Sequence, residues 1–310
     1  MKEGAAARRQ LPPLAFLLTI AFVGVKPCLP EAPRSDNRVV PVPHLRIGDR
    51  MRYESRARLE RHVKSESRVV TLLGPREVKR DLSTGFTVTI KNLQGAGDRP
   101  TVAAVAELDP PADSSGAAPP ARQTVNFTIE ENGQLGRAEG LDALAPEQRL
   151  AWQFWIARFA YSWTLPVNGI KPGEKWKSEE PEQTASPIAG LVWERETTYV
   201  QTDKCPILPA EVCAVLLTDA KLKQKSSPED TTPEDYQRRE LKTFGTAKGT
   251  SETIAYISLS TGLIQRATED SQQYMEVTVA KADASNQVHY EITVSSQFET
   301  VFVPQTSPEN

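Results

Sequence analysis

From Met51 to Glu60 the chain alternates strictly. Met51, Tyr53, Ser55, Ala57 and Leu59 fall on one side, and Arg52, Glu54, Arg56, Arg58 and Glu60 on the other. Successive side chains of a β-strand point to opposite faces, so this period of two demands a strand with one buried and one wetted face. Arg68–Leu73, Phe86–Leu93 and Thr101–Leu108 read as further strands, rich in Val, Thr and Ile. Thr124–Glu130 resumes the alternation and turns at Asn132-Gly133, a hairpin signal. Later strands are expected at Leu191–Gln201, Val212–Leu222, Arg238–Thr246, Ser251–Leu259, Leu263–Ala280 and Val288–Val303. The last four are joined by short turns, which describes an antiparallel meander. With 24 prolines against 17 glycines, interrupted β-structure fits better than a helix bundle. The expected fold is therefore mainly β: an antiparallel meander forming a strongly curved sheet or half-barrel.

One helix breaks the pattern. Pro146 suits a first helical turn and Glu147 its positive end, and the helix is expected to run to Trp163. Trp152, Trp155, Phe159 and Trp163 recur at helical spacing, with Ile156 beside them. Two readings follow. The aromatic face plugs or covers the sheet, or it meets an apolar ligand or a partner segment. These four residues are the candidate contact residues.

The N-terminus reads as an export signal. Lys2, Arg8 and Arg9 precede the apolar run Leu14–Val25, which is too short to span a bilayer. Residues 1–30 are assigned to the signal and 31–45, rich in Pro, to a tether. Residues 46–164 and 165–304 then form an N-terminal half holding the helix and a C-terminal antiparallel half. A lipid-attachment cysteine needs small uncharged residues before it, so Lys26 and Pro27 argue against lipidation of Cys28. Cys205 and Cys213 remain, and a disulfide between them would close a short loop in an oxidising compartment. The expected location is periplasmic or extracellular, with no transmembrane span once the signal is removed.

The two halves repeat weakly. Arg46-Ile-Gly-Asp-Arg-Met-Arg-Tyr53 parallels Lys171-Pro-Gly-Glu-Lys-Trp-Lys-Ser178, and the hairpin Phe127–Arg137 parallels Tyr256–Arg266. Two tandem copies are one reading, chance likeness between β-segments the other. Leu165-Pro166, Pro172-Gly-Glu-Lys-Trp176, Gly245, Gly249 and Thr261-Gly262 carry a broader likeness. Over Leu165–Val303 the chain resembles uncharacterised bacterial exported proteins of the domain-of-unknown-function kind. In outline their sheets are similar to the half-barrels of periplasmic lipoprotein carriers. The resemblance implies a β-rich exported fold and brings no catalytic residue with it.

Charge and motifs narrow the function. A net charge of −3 argues against a nucleic-acid binder, which needs a dense cationic face. The three histidines, His44, His62 and His289, form no metal-binding spacing, and C-x7-C matches no zinc motif. There is no nucleophile elbow, P-loop or dinucleotide fingerprint. The sequon Asn126-Phe-Thr128 lies inside an expected strand. No cofactor or metal is expected. The first reading is a non-enzymatic binding or interaction protein of the cell envelope, holding an apolar ligand or a partner segment. The alternatives are a structural envelope protein and a hydrolase with a dispersed acidic site.

Overall fold

The computed structural model describes residues 38–65, 75–95, 97, 99–110, 122–182, 186–283 and 285–304, the side chain of Glu147 excepted. The expected signal and the expected strand Arg68–Leu73 lie outside the described residues. The chain forms β1 (Arg50–Ser65), β2 (Glu77–Gln94), β3 (Thr101–Leu108), β4 (Gln123–Ile129) and β5 (Leu135–Glu139). Helix α1 (Pro146–Phe159) follows, then β6 (Lys175–Pro181), β7 (Leu191–Lys204) and β8 (Val212–Gln224). A single turn, α2 (Glu234–Gln237), precedes β9 (Leu241–Ser258), β10 (Ile264–Lys281) and β11 (Val288–Val303).

All eleven strands belong to one antiparallel sheet, in the order β5-β4-β3-β2-β1-β11-β10-β9-β8-β7-β6, which does not close into a barrel. The two halves meet where β1 pairs with β11, from Arg52↔Val303 to Ser65↔Tyr290. Each half runs the same way across the sheet. The two repeated motifs therefore occupy matching places: one opens β1 and β6, and the other forms the β4–β5 and β9–β10 hairpins.

Arg238–Thr246 and Ser251–Leu259 were expected as two strands, and the structure corrects this to one, β9. Gly245 and Gly249, near the expected break, have a packing role. A Cβ on Gly245 would collide with the Glu276 carbonyl of β10, and one on Gly249 would crowd that of Gln272. They thin the strand where its neighbour comes close. The helix also ends earlier than Trp163. Its last turn gives way to a 3-10 turn over Tyr161–Thr164.

Residues 38–45, expected as tether, lie along one end of the sheet. Val39 bridges Ile170 through main-chain bonds of 2.8 Å in both directions, and His44 N–H donates to Thr261 O. This contact explains Gly262, whose φ is +68° and whose missing Cβ leaves room for the Val42 carbonyl. A side chain there meets both an unfavourable backbone conformation and a collision. Gly262→Ala is expected to cost more than about 1 kcal/mol, read from urea unfolding.

Buried positions alternate with wetter ones along β3 and the first half of β1, while β2 and β8 carry buried runs at Thr84–Val88 and Cys213–Leu216. On the inner face, Tyr53, Phe86, Val88, Ile90, Val102, Val125 and Phe127 build one apolar cluster beneath α1. A second, around Trp193, Leu222, Val277 and Tyr290, lies toward the other strand ends, and a third gathers Tyr199, Leu216, Ile257 and Ile264. Cys205 and Cys213 form a disulfide and are both buried. Opening this short loop is expected to cost about 2–3 kcal/mol, measured as the melting shift of a Cys205→Ala/Cys213→Ala variant. Among the described residues no helix is long and apolar enough to cross a membrane. The disulfide and that feature are compatible with export.

Candidate functional site

Two places gather chemistry: the inner face under α1 and the outer face of the sheet. The helix starts at Pro146, where Ala145 N–H donates to the Gln148 side chain at 3.3 Å, and Gln148 in turn donates to Asp109 O at 3.2 Å. Those bonds, with Trp163 Nε1 donating to Pro100 O at 3.1 Å, hold α1 against β1–β4. Trp155 stacks on Phe86 with centroids 4.7 Å apart, and Trp152 meets Phe127 edge-on at 5.2 Å. Phe159 meets Tyr53 edge-on at 5.9 Å. Trp152, Trp155, Phe159 and Trp163 are each no more than 1% exposed. The four expected contact residues therefore sit in the core and present no ring surface to a ligand in this structure. Within that cluster Tyr53 Oη and Trp155 Nε1 are buried with no hydrogen-bond partner among the described residues. Burial pushes the Tyr53 phenol up.

Beside the rings runs a buried polar belt. Arg158 of α1 forms an ion pair with Glu269 of β10, both nearly inaccessible. Burial would raise the Glu269 pKa, but the Arg158 and Arg195 guanidiniums, with the Thr253 hydroxyl donating to it at 3.2 Å, hold it below the usual carboxylate range. Arg195 Nε lies 2.9 Å from Glu180, and Glu182 accepts from Gln273 at 2.7 Å and from Trp193 Nε1 at 2.9 Å. The space among these groups is about 40 Å³, room for a water or two and no substrate. Every carboxylate there is already met by a cation or a donor. His62 lies near Glu77 and His289 near Thr278, while the main chain of His44 bonds at the other end of the sheet, so the histidines do not converge.

The outer face is different. A groove of about 1510 Å³ crosses strands β6 to β1, and a second hollow of about 560 Å³ continues it over β2. Its lining is hydrophilic and mostly charged. One line of directly paired positions crosses its floor: Lys177, Glu196, Asp219, Glu252, Asp270, Gln297 and Arg58. Four carboxylates thus stand side by side on adjacent strands, an arrangement that destabilises a sheet. Among the described residues only Glu196, at the end of the row, has close cations. Lys175 Nζ lies 2.8 Å away and Lys177 Nζ 3.9 Å, and the Lys175 hydrogen bond lowers the Glu196 pKa. Asp219, Glu252 and Asp270 are exposed.

Sequence reasoning pointed to neither feature. Glu269 was findable: it falls on the inward phase of its strand, between Ala267 and Ser271, where an acid needs a partner. The carboxylate row was not, because it depends on strand register. No known protein family matches the chain, and no curated protein matches it.

Proposed function

We propose that the chain is an exported, non-enzymatic binding or interaction protein of the cell envelope, and that its partner seats in the outer groove. The apolar run near the N-terminus and the closed disulfide support the export part of this reading. One observation carries the rest. The apolar interior is already filled by the rings of α1, whereas the open concavity is polar and floored by a row of acids. A filled interior favours a polar occupant over an apolar one. The row favours an occupant that brings positive charge, because such a group relieves the repulsion among Asp219, Glu252 and Asp270.

Carbodiimide footprinting tests this. The protein is purified gently from an exporting host, labelled, and mapped by mass spectrometry beside a sample stripped in high salt. Asp219, Glu252 and Asp270 are expected to label several-fold less before stripping. Equal labelling of these three in both samples, with a co-purified component demonstrably present, would place the partner elsewhere.

A further inference from the structure

Among the described residues the sheet is open, and β6 ends it with one strand neighbour. Glu182 N–H donates to Leu191 O and Tyr199 N–H to Glu174 O, and the register Trp176↔Thr197, Ser178↔Arg195, Glu180↔Trp193 continues that set. Even-numbered residues of β6 therefore spend their main-chain groups on β7. In an antiparallel ladder the alternate residues turn theirs the other way. Lys175, Lys177 and Glu179 thus aim N–H and C=O groups outward, along an edge whose side chains are exposed. An edge of this kind is a template for another strand, and its charges restrict which strand can pair.

We propose that β6 pairs with β6 of a second copy of this chain, antiparallel, about a two-fold axis through Ser178. In that register Lys177 of each copy lies opposite the partner's Glu179, and each such pair exchanges two main-chain hydrogen bonds. A slide of two residues sets Lys177 against Lys177 or Glu179 against Glu179. A slide of one sets outward-aimed groups against inward-aimed ones, and the bonds are lost. Of these registers only the one centred on Ser178 keeps the hydrogen bonds and sets no like charges directly opposite, whereas the slide onto Lys177 brings Lys175 against Glu179 but at the expense of a Lys177–Lys177 pair. Inside each copy Lys177 already lies near Glu196, and Glu179 near Lys225, so the crossed pairs join two existing networks. The axis stands perpendicular to the sheet, so both outer faces remain on one side. Each groove reaches Lys177 and Glu179, and the two grooves therefore run together across the joint. A seven-residue edge is small beside the roughly 1,200–2,000 Å² of a stable interface, so the dimer forms reversibly with concentration.

Sedimentation velocity of the purified chain, up to about 1 mM, tests the pairing. Wild-type protein is expected to move from monomer to dimer. Lys177→Glu and Glu179→Lys should each weaken self-association at least about tenfold. Mixed in equal amounts, the two variants should form a heterodimer, because each then supplies the charge that the other lacks. Cα atoms of residues facing at such a position lie about 4.5 Å apart, within disulfide range, so Ser178→Cys should cross-link two chains on mild oxidation. Near-UV circular dichroism verifies that each variant is folded. A wild-type chain that stays monomeric overturns the proposal. So does association that ignores both charge reversals, or a mixture that fails to pair.

Discussion

Glu269→Ala is expected to lose about 3–5 kcal/mol of folding free energy at neutral pH, because it leaves the Arg158 guanidinium buried without its partner. Arg158→Ala should lose a similar amount by stranding the carboxylate. Replacing both by Met should recover most of the loss, since a buried ion pair contributes little over well-packed apolar groups. The pH dependence has a definite sign. Arg158, Arg195 and the Thr253 hydroxyl hold the folded-state pKa of Glu269 below its unfolded value. Its stabilisation is therefore complete above the ordinary carboxylate range and disappears as pH falls through the lowered folded value. Urea midpoints of wild type and Glu269→Gln, measured from pH 7 to pH 3, should differ most at neutral pH and converge in acid. Parallel curves would show that the pair contributes nothing that depends on ionisation.

Trp155→Ala is expected to cost about 3–5 kcal/mol, as it opens a cavity between Phe86 and Phe159 at the centre of the aromatic cluster. Tyr53→Phe, one ring away, should do the opposite or nothing. The Tyr53 hydroxyl is buried without a partner among the described residues, and leaving a polar group so placed costs about 1–3 kcal/mol. Removing it is expected to be neutral or stabilising. Urea unfolding of both variants checks the contrast. A Tyr53→Phe variant that is clearly less stable would mean that the hydroxyl has a partner in solution.

Local pattern carried much of this architecture. Thr101–Leu108 and Val288–Val303 emerge as strands with the ends expected, because alternation and turn residues are short-range signals. Pro146 starts α1 as its restricted φ dictates. Pairing was hidden. Nothing in Arg52 or Val303 announces that these residues, at opposite ends of the sequence, lie on adjacent strands and fuse the halves into one sheet. The continuity of β9 was hidden for a related reason. Gly245 and Gly249 answer to the backbone of β10, a neighbour that local sequence cannot name. The aromatic stripe of α1 was legible, but spacing alone could not tell a face that fills a core from one that meets a ligand. The groove was less legible still. Glu196, Asp219, Glu252 and Asp270 look like ordinary solvated acids until register aligns them.

Native mass spectrometry of protein from an exporting host, compared with the same sample denatured, tests the central claim most directly. The comparison uses wild type, an Asp219→Lys/Glu252→Lys variant of the groove, and Trp155→Phe beneath α1. The account predicts a wild-type adduct that is lost on denaturation, absent from the groove variant and retained by Trp155→Phe. An adduct that survives the groove substitutions and disappears with Trp155→Phe would move the binding site to the interior. A clean apo mass in repeated preparations would contradict the claim that the groove holds a partner.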